Sequence, residues 1–151
     1  MSLGLYLHIP YCFSKCRYCD FYSAPGQRGV PRAYVDALLR ELSRFAPDAP
    51  LRPDTLYFGG GTPSLLDPAD AARLIAAAQP LPGAEITLEA NPETVTEDSL
   101  RAFREAGVNR ISFGVQSARD SQLKTLGRPH TAKQARAAFA AARRAGFRSE
   151  E

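Results

Sequence analysis

Along residues 3–9, Leu3, Leu5, Leu7 and Ile9 alternate with Gly4, Tyr6 and His8, the period-two signature of a strand with one apolar face. At residues 32–45 the period changes. Tyr34, Leu38, Leu42 and Phe45 recur at helical spacing behind Pro31 and predict a helix. The exchange of periods then repeats down the chain. Residues 55–58 read as a short strand ending in three glycines, and Asp67-Pro68 opens a helix to Ala78, with Asp67 as N-cap and Pro68 in the first helical position. Residues 85–91 form a third strand, followed by a helix over 97–106 that Thr96 caps and Gly107 closes. Residues 110–116 are a fourth strand. Helices over 119–126 and 132–145 follow, the second capped by Thr131 and ended by Gly146.

Four strand–helix units without hairpin signals predict an α/β protein whose parallel sheet is joined by helical crossovers. Each strand has two unlike faces. In the third, Ile86, Leu88 and Ala90 oppose Thr87, Glu89 and Asn91; in the fourth, Ile111, Phe113 and Val115 oppose Ser112, Gly114 and Gln116. A sheet buried on both sides would be apolar throughout. A polar inner face with motif residues at the C-terminal strand ends is what a barrel-type ligand site requires. The expected fold is a partial (β/α) barrel of about four units, with residues 1–151 as the N-terminal part of that domain. It is expected to stop near Phe147, where a fifth strand would begin, leaving the fourth strand at an unpaired edge.

Composition narrows the class. The 151 residues are 44% apolar and carry a formal net charge of +3, as expected of one soluble globular unit. No run approaches the roughly 18 apolar residues of a membrane span, and the first residues lack a signal-peptide pattern. The basic residues are dispersed, whereas a nucleic-acid interface wants a basic face, so no nucleic-acid partner is expected.

The chain has 3 cysteines, Cys12, Cys16 and Cys19, all inside one short polar loop after the first strand. An odd count cannot close a disulfide framework. Zinc could take three thiolates and a histidine such as His8, but Cys-x3-Cys-x2-Cys is not a usual zinc spacing. Buried free cysteines act as small apolar residues in cores, and a loop bearing Ser14, Lys15, Arg17 and Asp20 is no core. Three thiolates can instead hold three irons of a [4Fe–4S] cluster and leave the fourth open. Reduced thiols without an export pattern point to the cytoplasm.

Cys-x3-Cys-x-aromatic-Cys directly after a strand resembles the signature of the radical S-adenosylmethionine (SAM) proteins. Within them the chain is similar to the branch of oxygen-independent coproporphyrinogen III oxidases and HemW heme chaperones. The matching segments are His8-Ile9-Pro10, Gly59-Gly60-Gly61-Thr62-Pro63-Ser64, Glu89-Ala90-Asn91-Pro92-Glu93, Gly114-Val115-Gln116-Ser117 and Leu126-Gly127-Arg128. The resemblance implies a six-unit partial barrel, a cluster on Cys12, Cys16 and Cys19, and SAM bound through the open iron. It implies that Gly60, Gly61 and Thr62 receive the methionine part of SAM and that Glu89 holds SAM within the barrel. Gln116 and Arg128 match contacts to a second SAM in the oxidase, although Arg128 reads equally well as a surface arginine. Tyr18 is placed to stack on adenine. Tyr6 and His8 would lie beneath the cluster, His8 reading equally as a hydrogen-bonded interior histidine. Asn91-Pro92 ends a strand and shapes a loop, without a catalytic role.

The chemistry implied is electron transfer from the reduced cluster to the sulfonium, yielding methionine and a 5′-deoxyadenosyl radical. An external electron donor is therefore expected. One departure divides the branch. The oxidases carry a fourth cysteine where this chain has Phe21, and Cys19-Asp20-Phe21 resembles the HemW form. Heme is then the expected cargo, and radical decarboxylation of coproporphyrinogen III the alternative. The C-terminal His-Asn-x-x-Tyr-Trp motif of HemW has no counterpart, since the chain has no tryptophan. An inert fragment is the third expectation.

Overall fold

The computed structural model describes residues 2–45 and 49–150, the side chains of Ser149 and Glu150 excepted. Five strands form one parallel sheet in chain order: β1 (Gly4–Ile9), β2 (Thr55–Gly60), β3 (Glu85–Ala90), β4 (Arg110–Phe113) and β5 (Ser149–Glu150). The crossovers carry helices α1 (Arg32–Phe45), α2 (Pro68–Ala78), α3 (Glu97–Glu105), α4 (Asp120–Leu126) and α5 (Ala132–Arg144). Strict succession of neighbouring strands, each returning through a helix, is the winding of a (β/α) barrel.

The helix ends follow the sequence signals. Asp67 accepts a hydrogen bond from the Ala69 amide at 2.8 Å, and Pro68 needs no donor at that position. Thr96 and Ser99 cap each other reciprocally at the start of α3, as Thr131 and Gln134 do for α5. Both boxes satisfy amides that the first helical turn leaves unpaired.

The apolar strand faces meet the helices. Leu7, Ile9, Leu56, Phe58, Ile86, Leu88 and Ile111 pack with Val35 and Leu42 of α1, Leu74 of α2, and Leu100 and Phe103 of α3. Helices α1, α2, α3 and α5 touch in succession, so they lie as one layer along that face. The opposite face carries Tyr6, His8, Tyr57 and Glu89. Among the described residues no helix is long and apolar enough to cross a membrane.

Several boundaries move. β2 continues through Gly59 and Gly60, which pair with His8 and Ile9 of β1. β3 ends at Ala90, one residue before the expected Asn91. β4 stops at Phe113 instead of reaching Gln116, because the Ser117 amide turns back to the Val115 carbonyl at 2.8 Å and Gln116 takes a φ of 65°. Arg119 occupies the N-cap position of α4, outside the helix, without a side-chain capping bond. The expected unpaired edge on β4 is a correction. β5 pairs Ser149 with Arg110 and Glu150 with Ile111, and the buried Phe147 anchors the approach. Met1 and Glu151 lie outside the described residues, as do residues 46–48.

Candidate cluster and cofactor site

The C-terminal ends of β1 to β4 open on a cavity of about 250 Å³. Its wall combines Cys12, Cys16, Tyr18 and Cys19 from the loop after β1 with Gly60, Gly61 and Thr62 at the end of β2, Glu89 and Asn91 at β3, and Gln116 and Arg128 beyond β4. Sequence positions from 12 to 128 thus converge because each strand delivers its last residues to the same rim.

The cysteine loop is tied to its own base. The Cys12 amide donates to the Ala24 carbonyl at 3.0 Å, the Gln27 amide to Cys12 at 3.0 Å, and the Ala24 amide to Pro10 at 2.6 Å. All three thiols are free; Cys12 is buried, and Cys16 and Cys19 are half-buried. Among the described residues no three His, Cys, Asp or Glu converge on a single point as one metal ion would need. The thiols instead share a cavity wall, and a polynuclear cluster asks for that, since each thiolate binds a different iron. His8 does not join them. Its ring lies against the Tyr6 hydroxyl at 3.2 Å and the Tyr22 carbonyl at 3.0 Å.

The glycine turn sits hard against this loop. A Cβ on Gly61 would meet the Tyr11 carbonyl at 2.7 Å and the Cys12 sulfur at 2.9 Å. Gly60 adds a φ of 118°, and a Cβ there would strike the His8 ring at 2.7 Å. Only glycine lets the backbone come this close. The Gly61 and Thr62 amides are bonded to Ile9 and Tyr11 carbonyls at 2.8 Å, which welds the turn to the end of β1.

Glu89 is not a lone buried carboxylate. Tyr57 donates its hydroxyl to Oε1 at 2.8 Å, and the Gly60 amide donates to Oε2 at 3.1 Å. Burial, then the Glu89 hydrogen bond and charge, push the Tyr57 phenol up to about 12. Tyr6 is more than half exposed and does not line the cavity; it stacks on Tyr57 with ring centroids 6.0 Å apart. Burial, then the Glu89 charge, raise its phenol too. Tyr18 lines the cavity beside Arg128 and Cys16; partial burial raises its phenol, Arg128 opposing and Cys16 adding to the rise.

Arg128 points inward. Its Nη1 lies 3.2 Å from the Cys16 sulfur, and its Nη2 lies 2.6 Å from both Asn91 Oδ1 and the Gly114 carbonyl. Nε is buried without a protein partner among the described residues. Gln116 is exposed at the rim. Asn91, expected only to end a strand, also donates to Thr62 Oγ1 at 3.2 Å and so joins two rim segments. Sequence reasoning missed Tyr57 and His130. Tyr57 alternates with Leu56 and Phe58, so strand periodicity alone places it on the inner face. His130 is buried between Glu93 and the Val115 carbonyl, each 3.1 Å from a ring nitrogen, and no local pattern announces it.

The donor set fits an iron–sulfur cluster and SAM: three free thiols on one wall, a glycine cradle, a held carboxylate and an orphaned buried N–H. The family model of the radical SAM superfamily matches residues 6–150. The heme chaperone HemW of Escherichia coli strain K12 is 46% identical over 153 residues, covering 97% of this chain and 40% of that protein. The mitochondrial radical S-adenosyl methionine domain-containing protein 1 of Bos taurus is 41% identical over 151 residues, covering 93% and 33%. Among solved structures, the radical SAM enzyme coproporphyrinogen III oxidase (HemN) from Escherichia coli superposes with a TM-score of 0.83 at 32% identity, over 99% of this chain and 36% of that one. The chain therefore spans about two-fifths or less of the length of these relatives. The cysteine loop, the glycine turn and the barrel winding agree with the sequence match, and the chain belongs to the radical SAM superfamily.

Proposed function

We propose that this chain is the cluster- and SAM-binding portion of a HemW-type heme chaperone. The observation that carries the reading is the shared cavity: Cys12, Cys16 and Cys19 line it together with Gly60, Gly61, Thr62 and Glu89. Cys12, Cys16 and Cys19 hold a [4Fe–4S] cluster. The glycine turn and Thr62 receive the methionine end of SAM, Glu89 holds SAM in the barrel, and Tyr18 covers the adenine. Gln116 extends the rim. Cluster and SAM bound there would supply reductive cleavage of a carbon–sulfur bond.

The residues of the chain do the rest. Tyr57 and the Gly60 amide fix both oxygens of Glu89, so the carboxylate is oriented before any ligand arrives. Tyr6 backs Tyr57. The loop side chains Phe21 and Tyr18 line the same cavity as the thiols. The cluster would need an external reductant, and a reducing compartment such as the cytoplasm would keep the thiols reduced and able to bind iron. Nucleic acid is not a partner on this reading, because the basic residues form no common face in the sequence.

Coproporphyrinogen III oxidation is the second reading, favoured by the superposition on the oxidase. Phe21 argues against it, standing where the oxidases carry a fourth cysteine. The deciding experiment offers heme and coproporphyrinogen III, separately and anaerobically, to the reconstituted protein with SAM and a reductant for the cluster present. Tight heme binding, seen as a Soret band, without carbon dioxide release supports the chaperone. Carbon dioxide release from the propionates supports the oxidase.

A further inference from the structure

We propose that Arg128 is a positioning residue of the cluster loop: it pins Cys16 to the ends of β3 and β4 and, through a hydrogen bond to the sulfur, tunes the cluster bound there. The inference rests on the cluster reading above.

Cys12 is secured by hydrogen bonds within the loop, at Ala24 and Gln27. The Cys16 end is secured from the far side of the fold. The Arg17 amide donates to the Leu126 carbonyl at 3.2 Å, at the C-terminus of α4. Gly127 follows with a φ of 74°, and a Cβ there would meet Arg17 Cγ at 3.1 Å, so the turn lies directly on the loop. Arg128 then places Nη1 at 3.2 Å from Cys16 Sγ and Nη2 at 2.6 Å from two oxygens, those of Asn91 and Gly114. Asn91 passes the contact to Thr62 at 3.2 Å. A continuous polar chain, Cys16–Arg128–Asn91–Thr62, therefore links the cysteine loop to the glycine turn around the cavity.

Arginine suits this task and lysine does not. The planar guanidinium presents several donors in fixed directions, whereas an ammonium is one point charge on a flexible stem. A cationic N–H donated to a thiolate stabilises the extra negative charge of a reduced cluster and so raises its potential; hydrogen bonds to the sulfurs are among the known levers. Three of the five N–H donors of the Arg128 guanidinium are committed, one to Cys16 and two to Asn91 and Gly114, which leaves the buried Nε–H and one Nη1–H for any other ligand. Its engagement with Cys16 is thus a different task from the contact to a second SAM that the oxidase resemblance implies.

The test compares the wild-type chain with Arg128→Met and Arg128→Lys. Before loading, hydrogen exchange of the amides in residues 12–19 reads the pin. After anaerobic loading, iron retention against a chelator and the reduction potential, followed by electron paramagnetic resonance, read the tuning. Arg128→Met is expected to exchange faster in the loop, retain iron about tenfold less well, shift to a more negative potential and change its g-values. Arg128→Lys is expected to recover part of the potential but not the loop protection, and it serves if Arg128→Met does not fold. Loop exchange, potential and g-values unchanged in both variants, with a loaded wild type, would overturn the assignment of Arg128 alone. A wild-type chain that takes up no cluster would overturn the tuning together with the cluster reading.

Discussion

Tyr57 on β2 donates its hydroxyl to Glu89 on β3 at 2.8 Å. The register explains the reach. Tyr57 is paired with Thr87, and Glu89 lies two residues further along on the same face, so a long side chain spans the diagonal. The pair turns an otherwise costly interior carboxylate into a fixed acceptor. Tyr57→Phe removes one of its two protein donors, and a lost hydrogen bond to a charged group is worth about 1.5 kcal/mol. SAM affinity is expected to fall about tenfold, measured by equilibrium binding to the loaded protein.

The same pair has a pH consequence. The Tyr57 phenol titrates at about 12 in the folded chain, against 10.0 as its ordinary value. A raised value means the folded state holds the proton longer than the unfolded one. The resulting stability is fully present below about pH 10 and is lost as the pH rises through about 12. Absorbance at the phenolate band should show a late step in the wild type that Tyr57→Phe lacks. Retention of that step in the variant would assign it to another tyrosine.

Gly61→Ala places a methyl group against the Tyr11 carbonyl and the Cys12 sulfur. The backbone there is welded to β1, so the strain falls on the cysteine loop. Iron bound per chain after reconstitution is expected to drop severalfold. Gly29→Ala is the control, because its Cβ would meet only the Leu65 carbonyl at 3.9 Å. Equal loading of the two variants would contradict the cradle.

His130→Ala should unfold earlier. The ring is buried, and both nitrogens are hydrogen-bonded, to Glu93 and to the Val115 carbonyl. Deleting it opens a cavity and strips partners from two oxygens, about 3 kcal/mol together. For a chain of this size that is roughly 10 °C in the thermal midpoint. A shift within a degree or two would mean that the ring is dispensable.

Asp67→Ala is a milder case. The carboxylate caps α2 through the Ala69 amide, and losing such a cap costs about 1 kcal/mol. Denaturant unfolding should show a lower midpoint with an unchanged slope.

Much of this was legible in the chain, and the reasons are local. Period-two and helical spacing placed every one of the first four strands and all five helices, because the inner and outer faces of each element differ in polarity. Caps at Asp67, Thr96 and Thr131 carry their own signals. The three thiols and the glycine turn were legible because few residue types can do those jobs. The end of β4 was not, since it depends on Gln116 entering a left-handed conformation that no glycine or asparagine announces. A fifth strand starting near Phe147 was legible, but not that its first residues already pair with β4, which needs the buried Phe147 to deliver them. The roles of Tyr57, Asn91 and His130 were hidden for a different reason. Each acts through a partner at least 15 residues away, and spacing along the chain carries no record of such pairs.

The central claim is that this chain holds a cluster with an iron open to SAM. The most direct measurement is electron paramagnetic resonance of the anaerobically reconstituted and reduced chain, with and without SAM. A reduced [4Fe–4S] signal whose g-values shift on adding SAM is the predicted result. A chain that takes up no cluster, or a cluster whose signal ignores SAM, would contradict it.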